Sequence, residues 1–410
     1  MKSYMNRSFQ KESQIQMNKE FIKGIPILEI LLANGFEAYF VGGSVRDSLM
    51  DRPIHDVDIA TSATPQDVKK LFDHTIDVGI DHGTILVLYK GESYEVTTFR
   101  TEDTYRDYRR PDQVTFVKTL HEDLKRRDFT INAMAMDKDG QIHDPFGGLQ
   151  DIQAKIIRTV GSAEERFQED ALRMLRGVRF VSQLGFSLDE ETKVALADKS
   201  SLLKYIAQER KTAEFEKMLM GKNPVEALAI AVNTHLLDYF PGLNNITRNF
   251  DGFSTLSLSY CVDFEEWLAT ICIFENKNQT LLSQWKLPGI IFKKVKILLT
   301  GYEIRSSQEL SKMHVFNWGL GNTKSIERVW AVMSGKKPDF NKIDTLYESM
   351  PIHNESELQI TGHDLMKWSD TKGGPWIKEW IKDIIQAILD GEIANEKELI
   401  KEWLIRKNKI

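Results

Sequence analysis

Cysteine is nearly absent from this 410-residue sequence, which has only Cys261 and Cys272. Both sit in apolar stretches, Leu256 to Val262 and Trp267 to Phe274, and read as reduced core residues. Long apolar runs are missing too. Nothing approaches the ~18 apolar residues that a membrane-spanning helix needs. The opening Met1-Lys2-Ser3-Tyr4-Met5-Asn6-Arg7 leads into polar residues rather than the apolar stretch of a signal peptide. A soluble, cytoplasmic protein without a membrane partner is expected. The sequence holds no G-x-x-x-x-G-K-[ST] run, which sets aside a P-loop kinase or ATPase, and no internal repeat or low-complexity segment. Positive charge is outweighed, with 54 Lys and Arg against 60 Asp and Glu for a net charge of −6. A chain of this length with 41% hydrophobic residues can build more than one core, and roughly two to four modules are expected.

The most informative stretch is Gly42-Gly43-Ser44-Val45-Arg46-Asp47, followed by Asp56-Val57-Asp58. Ala38 to Val41 are aromatic or small and apolar, as a buried strand requires. The two glycines then let the backbone turn sharply and bring its N–H groups close to a ligand, and the helix start that follows attracts anionic oxygens. If Asp56 to Ile59 is a strand, Asp56 and Asp58 leave the same face while Val57 packs behind them. Carboxylate oxygens suit magnesium, which is held by one or two carboxylates plus substrate phosphates. In a two-metal displacement the ions sit ~4 Å apart, one activating the attacking hydroxyl and the other neutralising the leaving oxygens. A dedicated zinc site is not suggested. By itself Asp-x-Asp reads as a solvated strand end; the Gly-Gly turn before it points instead to nucleotidyl transfer. A hairpin is expected from Thr84 to Tyr89 and Tyr94 to Phe99, joined by Lys90-Gly91-Glu92-Ser93. It places Glu95 with Thr97 on one face. Glu95 is then either a third catalytic carboxylate or an exposed strand glutamate.

Ser162-Ala163-Glu164-Glu165 reads as a capping box that opens a helix running to Gly185. Phe167, Ala171, Leu175, Val178 and Val181 define its buried face. Asp170 and Arg173 lie about 60° apart around the axis, and Arg176 and Arg179 continue the polar stripe on the side away from the core. Cytosine and adenine each present an exocyclic amino donor beside a ring-nitrogen acceptor, whereas uracil and guanine present the reverse. An aspartate that accepts and an arginine that donates would favour C and A. Arg176 and Arg179 would sit where guanidinium donors meet a triphosphate. The alternative is an ordinary charged helix face with intrahelical ion pairs, and this helix alone leaves both open.

Five motifs, in order, carry a family resemblance: Gly42 to Asp47 with Asp56-Val57-Asp58; Arg126-Arg127-Asp128-Phe129-Thr130-Ile131-Asn132-Ala133; Asp144-Pro145-Phe146-Gly147-Gly148; Glu169-Asp170-Ala171-Leu172-Arg173; and Gln208-Glu209-Arg210. The chain resembles class II tRNA nucleotidyltransferases, the CCA-adding enzymes, in their bacterial, Bacillus-type form. Ile360-Thr361-Gly362 through Gly373-Gly374-Pro375-Trp376 is similar to the tail of bacterial members. The resemblance implies a two-metal addition of C, C and A to the 3′ end of tRNA from CTP and ATP. By it, Asp56 and Asp58 hold two Mg2+ ions, and Gly43, Arg46 and Arg127 contact the nucleotide with Asp128 near the ribose. Asp170 and Arg173 pair with the base, Arg176 and Arg179 make further nucleotide contacts, and Glu95 gains modest support. The polar stretch from Arg100 to Gln113 reads as an exposed, mobile loop; the resemblance makes it a lever in the switch from C to A.

The expected architecture is an α/β head with a mixed sheet, similar to the polymerase β nucleotidyltransferase fold, followed by all-α neck, body and tail domains. The head covers residues 1–150, the base-reading neck 151–220, and a body (221–300) and tail (301–410) bind tRNA. The acidic balance objects to an RNA partner, but basic clusters occur at Lys125-Arg126-Arg127, Arg173 to Arg179 and Lys401 to Lys409. The stripe Trp376, Ile377, Trp380, Ile381, Ile384, Ile385, Ile388 reads as core packing. Rival readings are a poly(A) polymerase, an enzyme adding only C or only A, and a catalytically inert RNA-binding protein.

Overall fold

The computed structural model of the chain describes residues 17–79, 82–102, 114–276 and 279–410. Most of the expected lever loop, 103–113, lies outside the described residues. The chain divides into two compact units, with the boundary between Phe240 and Pro241.

The first unit opens with α1 (Lys19–Ala33), whose N-cap Asn18 accepts from the Glu20 amide at 3.2 Å. There follow β1 (Ala38–Val41), α2 (Gly43–Leu49), β2 (Asp58–Thr61), α3 (Pro65–Leu71), β3 (Thr75–Gly79), β4 (Thr84–Tyr89), β5 (Glu92–Thr98), β6 (Arg100–Glu102), β7 (Val114–Phe116), α4 (Leu120–Lys125), β8 (Ala135–Met136), β9 (Ile142–His143) and α5 (Gly148–Ala154). The main sheet runs β3-β4-β5-β2-β1-β8-β9, and β6 pairs separately with β7. The β2–β5 pair is parallel and its other pairs are antiparallel, so the sheet is mixed.

Alternation decides which face does what. Phe40, Ile59, Val57, Val96, Ile85 and Val87 point to one face, where Phe21, Ile27, Leu28 and Leu31 of α1 and Val68 of α3 seal them into a core. The opposite face carries Asp58 and Glu95, which are register partners on β2 and β5. The hairpin turn is tighter than the sequence suggests. Tyr89 pairs with Glu92, leaving only Lys90 and Gly91, both at positive φ, as two-residue hairpin loops demand. Asp56 falls outside β2, so the expected strand start moves to Asp58.

Beyond β10 (Ile156–Ile157) come α6 (Ala163–Glu169), α7 (Leu172–Leu184), β11 (Ser187–Leu188), α8 (Glu190–Lys199), α9 (Gln208–Leu219) and α10 (Pro224–Asn233). The single helix expected from Ser162 to Gly185 is two helices. Ser162 caps the first through the Glu165 amide, and Gly185, at φ 70°, ends the second. Asp170 between them has extended backbone angles (φ −135°, ψ 104°). The apolar stripe survives the break, since Phe167, Ala171, Leu175, Val178 and Val181 are all buried. Phe129 packs edge-on against Phe180 of α7 at 5.8 Å between centroids, which ties the sheet's following loop to this helix pair.

Among its described residues the second unit has no strand. Ile384, Ile385 and Ile388 are buried, and Trp376, Ile377, Trp380 and Ile381 pack against the same core, so that stripe is packing. Cys272 is buried and Cys261 half-buried; both are free, and burial pushes both thiols up to about 12. Among the described residues no helix is long and apolar enough to cross a membrane.

Candidate active site

The turn between β1 and α2 is built on Gly42, at φ 77° and ψ −139°. A Cβ there would sit 3.2 Å from Arg127 Nη1 and 3.7 Å from Asp58 Oδ2. Glycine thus answers a backbone angle that L side chains rarely adopt and a gap between an arginine and a carboxylate. The turn and Asp58 line one side of a cavity of about 770 Å³.

Asp58 is half-buried and Asp56 exposed. Burial, the neighbouring Glu95 charge and the Asp56 charge raise Asp58 to about 6, with Arg127 opposing them. Glu95 lines the cavity with Asp58. Carboxylates gathered so that one resists ionisation are a donor set that a hard cation would relieve. Among the described residues no three His, Cys, Asp or Glu side chains are grouped to hold an ion by themselves. An ion here would rest on few carboxylates and take its remaining oxygens from water or substrate.

The facing wall is basic. Nine arginine or lysine side chains and four acidic ones line the cavity, in a chain whose net charge is −6. Arg46 is buried; its Nε and Nη2 donate to Asp47 at 3.0 Å each and its Nη1 to Asn132 Oδ1 at 2.5 Å. Arg127 Nη2 donates to Asp123 at 3.1 Å. Asp128 accepts from the Phe129 amide (3.0 Å), Asn132 Nδ2 (3.1 Å) and Arg176 Nε (2.6 Å). Burial works against its charge, yet Arg176 and Asn132 hold its carboxyl down at about 2. Asp58 and Asp128 line the same cavity and shift in opposite directions because only Asp128 is bonded to a guanidinium.

The break between α6 and α7 brings Asp170 and Arg173 to the same cavity. Asp170 Oδ1 accepts from the Leu172 amide at 3.0 Å, and its Oδ2 lies 3.4 Å from Arg210 Nη2. Arg173 donates to Glu169 at 2.6 Å, to the Arg166 carbonyl at 3.3 Å and to the Arg126 carbonyl at 3.0 Å. The polar stripe is therefore not a solvated helix face. Arg173 and Arg179 are each 7% exposed, and Arg179 pairs with Glu214 on α9 at 2.9 Å. Burial lowers the Arg179 pKa while Glu214 opposes the shift. Three guanidinium carbons lie near the Phe180 ring, those of Arg46, Arg176 and Arg179, at 5.2, 5.8 and 4.5 Å from its centre.

The cavity thus brings together Gly43, Arg46, Asp58, Glu95, Arg127, Asp128, Asp170, Arg173, Arg176 and Arg179; Asp56 stands exposed at its acidic end. Sequence reasoning missed Asp123, Asn132, Phe180 and Glu214. It quoted Arg210 in a motif without a role. Asn132 lies in a quoted motif as well, but neither residue's partner could be read from linear order.

Residues 38–158 match the family described as the poly A polymerase head domain, 185–247 a probable RNA and SrmB-binding site of polymerase A, and 263–404 a putative tRNA nucleotidyltransferase domain 2. The CCA-adding enzyme of Geobacillus sp. (strain WCH70) is 45% identical over 399 residues, 96% of this chain and 99% of that one. The CCA-adding enzyme of Anoxybacillus flavithermus is 46% identical over 394 residues, with 96% and 99% covered. The crystal structure of the Bacillus stearothermophilus CCA-adding enzyme in complex with CTP is similar with a TM-score of 0.88 at 42% identity, covering 96% of this chain and 98% of that one.

Proposed function

The chain belongs to the CCA-adding enzymes of the bacterial, Bacillus type, and we propose how its cavity performs that reaction. The enzyme is a nucleotidyltransferase that adds C, C and A to the 3′ end of tRNA from CTP and ATP without a nucleic-acid template, releasing pyrophosphate. One observation carries the assignment of roles: carboxylates on a sheet face and a broken, arginine-rich helix pair open onto a single cavity.

The activity is metal-dependent. We assign the metal to two Mg2+ ions held by Asp56 and Asp58, with Glu95 as the neighbouring carboxylate that strengthens the negative site; the raised Asp58 pKa supports this. When bound, such ions supply Lewis acidity for the attacking 3′-hydroxyl and the leaving pyrophosphate. The protein's part is orientation. Gly42 leaves the backbone bare beside Asp58, so phosphate oxygens can approach the turn at Gly43. Arg46, Arg127, Arg176 and Arg179 hold the triphosphate, and Asp128 acts by clamping Arg176 and Asn132 near the ribose. At the α6–α7 break, Asp170 accepts from the amino group and Arg173 donates to the ring nitrogen shared by C and A. Their own partners, Arg210 and Glu169, fix the two side chains, so the pattern is rigid.

The proposed modules are a head (1–150), a neck (151–220), a body (221–300) and a tail (301–410), with tRNA held by the body and tail. A cytoplasmic setting goes with this reading, supported by two unpaired thiols.

The test is to incubate a tRNA lacking its terminal CCA with CTP alone, ATP alone and both, and to sequence the 3′ ends. The expected products are CC with CTP alone and CCA with both. A long adenosine tail would make the chain a poly(A) polymerase, a lone C or lone A a partial enzyme, and unchanged ends an inert RNA-binding protein.

A further inference from the structure

Asp123, on α4, is fully buried and is not part of the cavity lining. Its two oxygens go to two consecutive arginines. Oδ1 accepts from Arg126 Nε at 3.0 Å and Nη2 at 2.8 Å, and Oδ2 accepts from Arg127 Nη2 at 3.1 Å. The Arg100 amide, at the start of β6, leans on Oδ1 at 3.4 Å. Asp123 stands in the first turn of α4 and Arg126 is the C-cap of that helix, so both pairs are local, three and four residues apart.

Both arginines reach the cavity. Arg127 extends to the gap beside Gly42 and lowers the Asp58 pKa. The Arg126 carbonyl accepts from Arg173 Nη2 at 3.0 Å. Adjacent guanidiniums repel one another, and each long side chain has many rotamers to lose. One buried carboxylate shared between them removes both problems. Burial raises its pKa, but Arg127 and Arg126 outweigh it and keep the group charged.

We propose that Asp123 is a positioning residue for nucleotide addition: it sets the aim of Arg127 into the cavity. This rests on the reading of Arg127 as a nucleotide-binding residue. In D123N the shape is kept, but the amide nitrogen turns a donor toward one of the two guanidiniums, and that arginine is released.

A double-mutant cycle tests it, with KM and kcat for CTP and ATP measured on tRNA lacking CCA in wild type, D123N, R127Q and D123N/R127Q, after circular dichroism of each. D123N should raise KM for both nucleotides about tenfold with kcat changed less, and should add less than about twofold in the R127Q background, since its route is already gone. An equal rise in both backgrounds, or an unchanged KM in D123N, overturns the proposal while leaving the site reading intact. An unchanged KM in R127Q overturns the site reading, and the proposal with it. If D123N does not fold, D123E, which keeps the charge but moves it by one methylene, goes through the same cycle and is read in the same way.

Discussion

The two units both bury arginine–carboxylate pairs, and they use them differently. In the second unit Glu266 is 0% exposed and takes both Arg328 Nε and Nη2, plus the Val262 amide at 2.9 Å. Glu327, 1% exposed, takes Arg305 Nε at 2.7 Å, its Nη2 at 3.3 Å and the Asp339 amide at 3.1 Å. These pairs are closed: none of the four side chains keeps a buried polar atom without a partner. In the first unit arginines of such pairs line a cavity, and several stay open. Among the described residues Arg127 Nε, Arg179 Nε and Arg210 Nη1 are buried without a hydrogen-bond partner, and all three residues face the cavity. Burial of charge alone therefore does not mark the cavity; there it comes with donors left over after pairing, although Arg166 Nε is left over outside the lining.

The sharpest way to break this comparison acts on the open side. Asp58→Ala, and separately Asp56→Ala, should cut both C and A addition by about 10³-fold or more while the fold and tRNA binding survive. Extension assays with either nucleotide, beside a gel-shift measurement, check it; a mutant keeping a sizeable fraction of the rate would remove the metal assignment.

On the closed side, Arg328→Met alone should destabilise the protein by about 3–5 kcal/mol, because Glu266 is left charged and buried. Glu266→Leu with Arg328→Met should be close to neutral. Urea unfolding of both variants, with nucleotide addition by the folded double variant, is the measurement. Lost activity in that folded double variant would mean that the second unit's pairs are not merely structural.

A smaller effect is expected on selectivity. Asp170→Ala or Arg173→Ala removes half of the base match, so discrimination against UTP and GTP should fall by about 1–3 kcal/mol. Four-nucleotide kinetics on tRNA lacking CCA measures it. Rate loss with selectivity intact would mean that the pair positions the base without reading it.

The smallest expected effect is on pH dependence. Asp128 is held at about 2 in the fold against 3.8 as its ordinary value. The folded value is the lower one, so its stabilisation is present above about pH 4 and is lost as pH falls toward 2. The linkage is worth about 2 kcal/mol. Unfolding free energy from pH 7 to 2 should fall less steeply over that window in Asp128→Asn than in the parent; identical slopes would detach Asp128 from Arg176.

Much of this was legible. The β1 strand and Gly-Gly turn, the β4–β5 hairpin with Glu95 and Thr97 on one face, the Ser162 cap, the Gly185 stop and the five buried apolar positions between them all follow from local rules. The break at Asp170 did not. No proline or glycine marks it, and the apolar period continues across it, so nothing short-range separates one long helix from two. Its side chain caps the Leu172 amide and meets Arg210, which is distant in sequence. The polar stripe stayed ambiguous for a related reason: a charged face looks the same in sequence whether it meets water or another buried wall, and α9 with Glu214 supplies that wall.

By itself the sequence determined the local features that nominate the candidate residues, because a Gly-Gly turn, an Asp-x-Asp pair and apolar periodicity are short-range properties of the chain. Only the tertiary structure decided who holds whom. The Asp58–Glu95 register, the Asp128–Arg176 bond, the Arg179–Glu214 pair and the cavity itself join residues far apart in the chain. Their partners are chosen by how sheet and helices pack around a common core, since a buried charge takes whichever opposite charge that packing brings within reach.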